Sequence, residues 1–341
     1  MAKKEEKIVI GCISAVHRDR YEVLVDKEQL YAKLKTGVFY KENTQEQFPT
    51  VGDQVELQYV ESGDSLIIHT KKRKSYFSRV NPTPGMGEQV VAANFDYVFI
   101  MMSLNFDYNI KRLERYLTAA WQSGAVPVVI LTKADIGSDI EEKQYEIEKA
   151  ACGVQVYVVS AISGEGMEEI RKYLKPDTTI VFLGSSGVGK STFTNCLLGA
   201  DIMDTQDIRE EDSKGHHTTT YRQLFQLSSG TRIIDTPGMR ELGMWDVTEG
   251  LGQSFEDVEG LIHQCRFKDC THTKEPGCAV RKALEEGTLD EMRFRSYKKL
   301  LKEAKFSEQK EARKVKMESK ACERSISKWQ RKFNKNEKLE Y

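Results

Sequence analysis

A glycine-rich run lies just past the middle of this 341-residue chain, between a strand-like and a helix-like stretch. Residues 184–191, GSSGVGKS, match the pattern G-x-x-x-x-G-K-[ST] in full. Glycines at these positions let backbone N–H groups turn toward phosphate oxygens at the positive end of the following helix. The pattern predicts that Lys190 reaches the β- and γ-phosphates of a nucleotide and that the Ser191 hydroxyl binds Mg²⁺.

Two segments farther along the chain carry groups suited to a phosphate and its metal ion. Asp235-Thr-Pro-Gly238 follows the strand-like TRII, where a carboxylate helps to hold Mg²⁺ and the Gly238 amide can sense a γ-phosphate. The second segment, GHHTTT at residues 215–220, lies between the glycine-rich run and Asp235. A threonine there could close over Mg²⁺ when the γ-phosphate is present. A polar loop that enters a strand is the alternative for this segment.

Two segments that precede the glycine-rich run predict recognition of a base. Residues 132–135, TKAD, end the apolar run PVVIL, and Ser160-Ala161 ends another. The carboxylate of Asp135 can accept hydrogen bonds from guanine N1–H and the 2-amino group together, whereas adenine lacks this pair of donors. The aliphatic stem of Lys133 can pack along the base. Thr132 stands where this pattern usually has Asn, so it lacks the amide.

A cysteine and histidine cluster near residue 270 predicts a metal site. Its pattern is Cys265-x4-Cys270-x-His272-x5-Cys278. Three thiolates and one imidazole make a closed tetrahedral Zn²⁺ site with no open position for catalysis. The remaining cysteines are scattered, and we interpret them as ordinary thiols: Cys12, Cys152, Cys196 and Cys322.

The chain divides into three regions that differ in their pattern of apolar and charged residues, and these regions must position the groups described above. We therefore predict a multidomain α/β protein. Residues 1–75 contain five strand candidates (KIVIGCISAVHRD, RYEVLVD, YAKLKTGVFY, VGDQVELQYV and SLIIHT), which suit a β-barrel like the OB fold or, alternatively, a small sandwich. In residues 76–247 buried strands alternate with helices, which predicts a largely parallel sheet. Residues 248–341 hold the cysteine cluster and a charged helical tail. The basic, aromatic run KKRKSYFSR at 71–79 could suit nucleic acid, but we interpret it as a linker.

Composition and charge limit the function classes. Apolar residues make up 39% of the chain and charged residues 30%, and no apolar run reaches the roughly 20 residues that span a bilayer. The N-terminus lacks the pattern of a signal peptide, so we expect a cytoplasmic protein. Residues 291–341 contain 17 Lys and Arg against 8 Asp and Glu, although the whole chain has a net charge of −1. This basic tail suits an acidic partner such as nucleic acid, or else forms a solvated helix face.

The predicted nucleotide segments occur in an unusual order, with TKAD and SA before GSSGVGKS, TTT and DTPG. A parallel sheet permits this order because the site needs only spatial convergence. Over nearly its whole length the sequence resembles the RsgA (YjeQ) family of circularly permuted, ribosome small subunit-dependent GTPases. The resemblance implies GTP hydrolysis, a 30S subunit and 16S rRNA partner, a monomer with no membrane partner, one structural Zn²⁺ and Mg²⁺ bound with GTP. The predicted nucleotide-binding residues are Thr132, Lys133, Ala134, Asp135, Ser160, Ala161, Gly184, Ser185, Ser186, Gly187, Val188, Gly189, Lys190, Ser191, Thr192, Thr219, Asp235 and Gly238.

No residue at the usual place in the sequence can position the attacking water. Ras-like enzymes use a Gln after the switch glycine, but here that place is Met239, which predicts a slow intrinsic reaction. The resemblance implies that His217 supplies this function, and the adjacent His216 remains an alternative. Two other functions stay open: a GTPase whose barrel docks a protein or membrane partner, and a GTP-dependent RNA-binding switch with little hydrolysis. Asp135 argues against an ATPase.

Overall fold

A computed structural model describes most of the chain. The described residues are 7–26, 28–40, 47–80, 88–105, 107–199, 223–235, 248–306 and 309. Within these ranges no helix is both long enough and apolar enough to pass through a membrane.

Five short strands at the N-terminus close into a barrel. They are β1 (Ile8–Val16), β2 (Tyr21–Val25), β3 (Glu28–Leu34), β4 (Gln54–Gln58) and β5 (Ser65–Thr70). Neighbours pair antiparallel except β3 and β5, which run parallel, and β4 returns to pair with β1. Ile13, Val23 and Leu57 are fully buried inside, because alternate side chains of a strand point to one face. The predicted OB-like barrel is confirmed, and the sandwich alternative is wrong.

Two predictions of local structure are wrong. The second half of the strand candidate YAKLKTGVFY forms a short helix, α1 (Thr36–Phe39), whose Phe39 packs into the barrel interior. Its apolar residues therefore close one end of the barrel and do not extend a strand. The segment interpreted as a linker contains β6 (Tyr76–Val80), which pairs with β7 (Glu88–Ala93). Phe77 is buried there and stacks on Phe95 at a centroid distance of 4.8 Å.

A second group of strands forms the predicted, largely parallel sheet. They are β8 (Tyr97–Ser103), β9 (Val126–Thr132), β10 (Val156–Val158), β11 (Thr179–Leu183), β12 (Gln223–Gln226) and β13 (Arg232–Asp235). The order is β10-β9-β8-β11-β13-β12, and only β12 is antiparallel to its neighbour β13. Side chains on both faces are buried, among them Phe99, Ile130 and Phe182, as expected for strands covered on both sides.

Helices connect the parallel strands and bring the strand ends to one edge. They are α2 (Ile110–Gln122), α3 (Ile140–Ala150), α4 (Met167–Ile170) and α5 (Lys190–Leu198). The side chain of Asn109 caps α2 by accepting a hydrogen bond from Arg112 N at 3.1 Å. Leu113, Leu117 and Ala120 follow helical spacing and are buried. Because β8, β9, β10, β11 and β13 run parallel, the loops after them gather at one edge of the sheet.

A strand contact joins the barrel to this sheet, and a buried ion pair joins the barrel to the segment before β6. Ala15 of β1 lies opposite Gln223 of β12. The guanidinium of Arg73 donates two hydrogen bonds to the carboxylate of Asp53, at 2.8 and 2.7 Å. The exposed fractions of these side chains are 8% and 0%. Such a buried pair is stable only with good geometry, so it fixes the position of the barrel relative to β6.

The described part of the C-terminal unit contains four helices. They are α6 (Thr248–Ser254), α7 (Glu256–His263), α8 (Ala279–Glu285) and α9, which comprises residues 291–306. Of these, α6 and α9 contact α2. A side chain at Gly250 of α6 would collide with the carbonyl oxygen of Thr118, and Gly250 N donates to Gln122 Oε1 at 2.9 Å. The two helices can approach this closely because residue 250 has no side chain.

Arg293 of α9 connects these helices. Its guanidinium donates to both carboxylate oxygens of Asp257 at 2.6 and 2.8 Å, and to the carbonyl oxygens of Ala150 and Ser254 at 3.0 and 2.9 Å. It also lies 3.4 Å from a carboxylate oxygen of Glu114. Arg293 is only 8% exposed, so one buried cation joins α2, α3, α6, α7 and α9.

Replacing Arg293 should destabilise the protein far more than replacing a neighbouring exposed arginine. Arg293→Leu leaves the buried carboxylate of Glu114 and the more exposed carboxylate of Asp257 without their cation, and we expect it to lower the free energy of unfolding by about 3 kcal/mol. Arg295→Ala removes only the exposed pair with Glu291 and should cost less than about 0.5 kcal/mol. Urea denaturation followed by circular dichroism measures both, and equal losses would contradict this account.

Candidate nucleotide-binding site and metal centre

The glycine-rich run forms the predicted turn between β11 and α5. Gly187 and Gly189 have φ angles of 77° and 100°, in the left-handed region that favours glycine. A side chain at Gly184 would crowd the carbonyl oxygen of Met101, 2.7 Å from the added Cβ. Because α5 begins at Lys190, the backbone N–H groups of its first turn face the turn and can bind an anion.

Lys190 is already positioned over this turn. Its ammonium group donates to the carbonyl oxygens of Gly184 at 2.8 Å and Ser185 at 2.7 Å. These contacts hold the positive charge over the loop, where the pattern predicts phosphate groups. Ser191 and Thr192 follow in the first turn of α5 and are half-buried.

The two base-recognition segments, far apart in sequence, meet in the structure. Ser160 Oγ donates to Asp135 Oδ1 at 2.6 Å, and Ala134 N donates to Val159 O at 3.2 Å. Ser160 is fully buried, whereas Asp135 is exposed, so a base can reach a carboxylate whose orientation a hydroxyl fixes. This arrangement suits the paired N–H donors of guanine.

Thr132 joins the TKAD segment to the glycine-rich turn. Its Oγ1 donates to the carbonyl oxygen of Val188 in the phosphate loop at 2.6 Å, and the residue is buried. The hydroxyl therefore bonds to the protein backbone, a contact that needs no amide group. Thus the Thr at this position still joins the two loops.

Lys133 has a left-handed backbone, with φ at 63°, and a half-buried side chain. Burial lowers the pKa of Lys133, and the negative charges of Asp107 and Asp135 oppose that shift. The two carboxylates therefore favour the charged form of this lysine, whose side chain is half-buried.

Asp107, in the loop after β8, belongs to no motif in the sequence and was not predicted as a site residue. Its carboxylate accepts a hydrogen bond from Ser185 Oγ and another from Arg112 at 2.7 Å. The signal that could have found it is its place after a buried strand, at the edge where ligands bind in α/β sheets.

Asp235 ends β13 at the same edge of the sheet. Val181 lies opposite Ile234 in the parallel pairing of β11 and β13, which places Asp235 level with the strand end that leads into Gly184. The Asp235 carboxylate is buried and could contribute an oxygen ligand near Ser191. The remaining predicted residues lie outside the described part of the chain: His216, His217, Thr219, Gly238 and Met239.

The four predicted metal ligands converge in the C-terminal unit. The ligand atoms of Cys265, Cys270, His272 and Cys278 all lie within 4.8 Å of one another. Cys265 Sγ is 3.9 Å from Cys278 Sγ, and His272 Nδ1 lies 3.6 and 3.5 Å from these two sulfurs. Tetrahedral Zn²⁺ with ordinary Zn–S and Zn–N bonds separates its ligand atoms by about 3.5–3.8 Å. Cys265, His272 and Cys278 therefore have the spacing of a tetrahedral ion of this size, and Cys270 lies near enough to be its fourth ligand.

Local structure orients these ligands. Cys278 caps the N-terminus of α8, and its Sγ accepts a hydrogen bond from Arg281 N at 3.4 Å. His272 has a φ of 60°, and its ring packs edge-on against Phe294 at 5.9 Å. Burial lowers the pKa of His272, which favours the neutral imidazole that a metal binds.

Comparisons with known proteins agree with this geometry. A family model described as RsgA GTPase matches residues 70–245. "Small ribosomal subunit biogenesis GTPase RsgA 1" of Listeria monocytogenes serovar 1/2a is 49% identical over 311 residues, which cover 90% of this chain and 88% of that protein. A protein of Methanosarcina acetivorans, "Small ribosomal subunit biogenesis GTPase RsgA", is 41% identical over 88% of this chain and 80% of its own.

Two solved structures are similar along nearly the whole fold. The crystal structure of YjeQ from Thermotoga maritima matches with a TM-score of 0.65 and 26% identity, covering 87% of this chain and 98% of that one. The crystal structure of YloQ, described as a circularly permuted GTPase, matches with a TM-score of 0.60 and 22% identity, over 89% and 98% of the two chains. The second match supports the fold alone.

Loss of one metal ligand should remove the bound ion. We expect the purified chain to carry one tightly bound divalent metal ion, and Cys278→Ser to abolish it, because three remaining ligands leave the tetrahedron open. Elemental analysis measures the metal content. Cys196→Ser, which changes an exposed cysteine of α5, is the matched control and should keep a full equivalent. Retention of metal by Cys278→Ser would show that this cluster is not the site.

Proposed function

The chain belongs to the RsgA GTPase family, and from this premise we propose that it binds the small (30S) ribosomal subunit and assists its late maturation. The family consists of circularly permuted GTP hydrolases, and this chain is one of them. The subunit is proposed as partner because relatives that are 49% identical over nine-tenths of the chain are named for small ribosomal subunit biogenesis. In this proposal the subunit stimulates hydrolysis.

The observation that carries the nucleotide site is the pair of hydrogen bonds that joins its separate loops. Thr132 binds the carbonyl oxygen of Val188 in the phosphate loop, and Ser160 orients Asp135. In our proposal Asp135 accepts from the guanine edge, and the glycine-rich backbone with Lys190 holds the phosphates of GTP or GDP.

Two metal ions complete the proposed chemistry. Ser191 at the start of α5 and Asp235 at the end of β13 offer oxygen ligands at the same edge, which suits Mg²⁺ bound with GTP. Held by these two residues, Mg²⁺ would supply positive charge that offsets the negative charge developing on the phosphates during phosphoryl transfer. The Cys₃His cluster would hold one Zn²⁺, whose function is structural because all four ligands come from the protein.

We also propose His217 as the residue that positions the attacking water. Met239 cannot orient water by hydrogen bonding, so another group must do so. His217 precedes the threonine run in the sequence, and His216 is the alternative. Both lie outside the described residues.

Three surfaces support 16S rRNA as the proposed binding partner. On the barrel, the guanidinium of Arg20 lies 4.2 Å from the ring centroid of Tyr31, which is 42% exposed. In the metal loop, Arg266 lies 5.5 Å from the ring of Phe267, which is 41% exposed. Arginine and aromatic side chains suit unpaired bases and phosphates. The basic C-terminal tail is the third surface.

The organisation proposed with this function has three parts. We propose a barrel domain at residues 1–75, a permuted GTPase domain at 76–247 and a zinc-binding domain at 248–341. The protein acts as a cytoplasmic monomer, because its proposed partner is a cytoplasmic particle and each unit has its own core.

Purified 30S subunits should stimulate GTP hydrolysis strongly. Without subunits we expect slow turnover because no Gln follows the switch glycine, and with subunits we expect an increase on the order of tenfold or more. Phosphate release at saturating GTP measures both rates, and salt-dependent co-sedimentation with 30S particles measures binding. Binding without stimulation would instead support a GTP-dependent RNA-binding switch. Failure to bind the 30S subunit would favour a protein or membrane partner.

The His217→Ala variant tests the assignment within the same assay. It should lose most of the stimulated rate while its affinity for GTP stays within about twofold of the original chain. His216→Ala is the matched control and should keep stimulated turnover. If the two variants exchange these outcomes, His216 positions the water.

A further inference from the structure

The loop after β8 lies between the two halves of the nucleotide site. In the sheet, β8 has β9 on one side and β11 on the other. The loop after β9 contains the base-recognition residues, and the loop after β11 binds phosphates. Parallel strands therefore bring residues after Ser103 between these loops.

Asp107 in this loop contacts the phosphate loop directly. Its Oδ2 accepts a hydrogen bond from Ser185 Oγ, and Ser185 is buried. On the opposite side, Arg112 donates to Asp107 Oδ1 at 2.7 Å and also to the Asp107 carbonyl oxygen. The carboxylate is thus held by α2 while it holds the second residue of the phosphate loop.

Two neighbouring cations balance the charge of the same carboxylate. The negative charge of Asp107 favours the protonated form of Lys133, against the burial that lowers the pKa of this lysine. A lone carboxylate beside a phosphate site would repel its ligand. Here Arg112 and Lys133 balance the negative charge of Asp107. This balance suits a role in which Asp107 orients protein groups and does not contact phosphate.

Contacts from the base side hold the loop in place. Leu104 N donates to Thr132 O at 3.0 Å, and Lys143 Nζ donates to Leu104 O at 2.9 Å. Tyr108 Oη donates to a carboxylate oxygen of Glu146 at 2.7 Å. The residues on either side of Asp107 are therefore fixed to β9 and α3, and they hold Asp107 in place.

We propose that Asp107, held by Arg112, is a positioning residue that sets the phosphate loop, through Ser185, in its binding arrangement before a nucleotide arrives. This inference rests on the proposed GTP site. A prearranged site binds more tightly because less ordering remains for the binding step. The carboxylate should aid GTP and GDP alike, since it acts on groups that contact both. Such uniform binding changes KM and leaves kcat unchanged.

The test is a titration of the full-length chain with fluorescently labelled GDP, together with steady-state GTP hydrolysis. Asp107→Ala should raise the Kd for GDP and the KM for GTP about tenfold or more, as expected for loss of hydrogen bonds to a charged group. Asp107→Asn can still accept from Ser185 Oγ but lacks the charge, so its loss should be smaller. For every variant we expect kcat within about twofold of the original chain.

A double-mutant cycle separates positioning from general destabilisation. If Asp107 acts through Ser185, then Ser185→Ala should weaken GDP binding by itself but add little to Asp107→Ala. Asp177→Asn is the matched control. It removes a negative charge from an exposed position before β11, at the opposite end of the strands, and should leave both Kd and KM unchanged.

Three results would overturn the inference: unchanged affinity in Asp107→Ala, fully additive effects in the cycle, or a fall in kcat as large as the rise in KM. If the original chain bound no guanine nucleotide, the proposed function and the inference would fail together. Normal binding that is insensitive to Asp107 would remove the inference alone.

Discussion

The hydrogen bond from Thr132 to the carbonyl oxygen of Val188 depends on the order of the strands in the parallel sheet. The base-recognition loop precedes the phosphate loop by about fifty residues, yet β9 and β11 are separated only by β8. Their loops therefore emerge at one edge within reach of a single side chain. The permuted chain order leaves this spatial relation intact, because the site requires only that the strand ends converge.

The neighbouring units pack against the elements that carry the nucleotide site. The barrel pairs with β12 through Ala15, and β12 pairs with β13, which ends at Asp235. Residues 236–247 lead from Asp235 to α6, and α6 docks on α2 beside the buried cation of Arg293. The nucleotide site and the two proposed RNA-binding units therefore share a continuous set of packed elements.

The sequence predicted the motif residues of the candidate site, but it did not predict the residues that hold them in position. The glycine-rich turn, TKAD and the cysteine cluster are local patterns whose chemistry dictates the spacing, so the order of residues alone was enough to recognise them. The barrel strands and buried parallel strands followed from their apolar patterns. By contrast, Asp107 and Arg293 act through partners far away in the chain, and charged residues at such positions look like ordinary surface residues. The helix at Thr36–Phe39 was missed because apolar residues that close a barrel resemble a short strand.

The central claim is that Asp135, oriented by Ser160 and brought beside the phosphate loop by Thr132, recognises guanine. It is tested most directly by measuring the affinities of GDP, ADP and XDP for the original chain and for Asp135→Asn. Xanthine carries a carbonyl oxygen in place of the 2-amino group, so an amide N–H can donate to it. We predict that the original chain prefers GDP over ADP and XDP by at least about a hundredfold, and that Asp135→Asn prefers XDP. An Asp135→Asn variant that still preferred GDP with undiminished affinity would contradict this account.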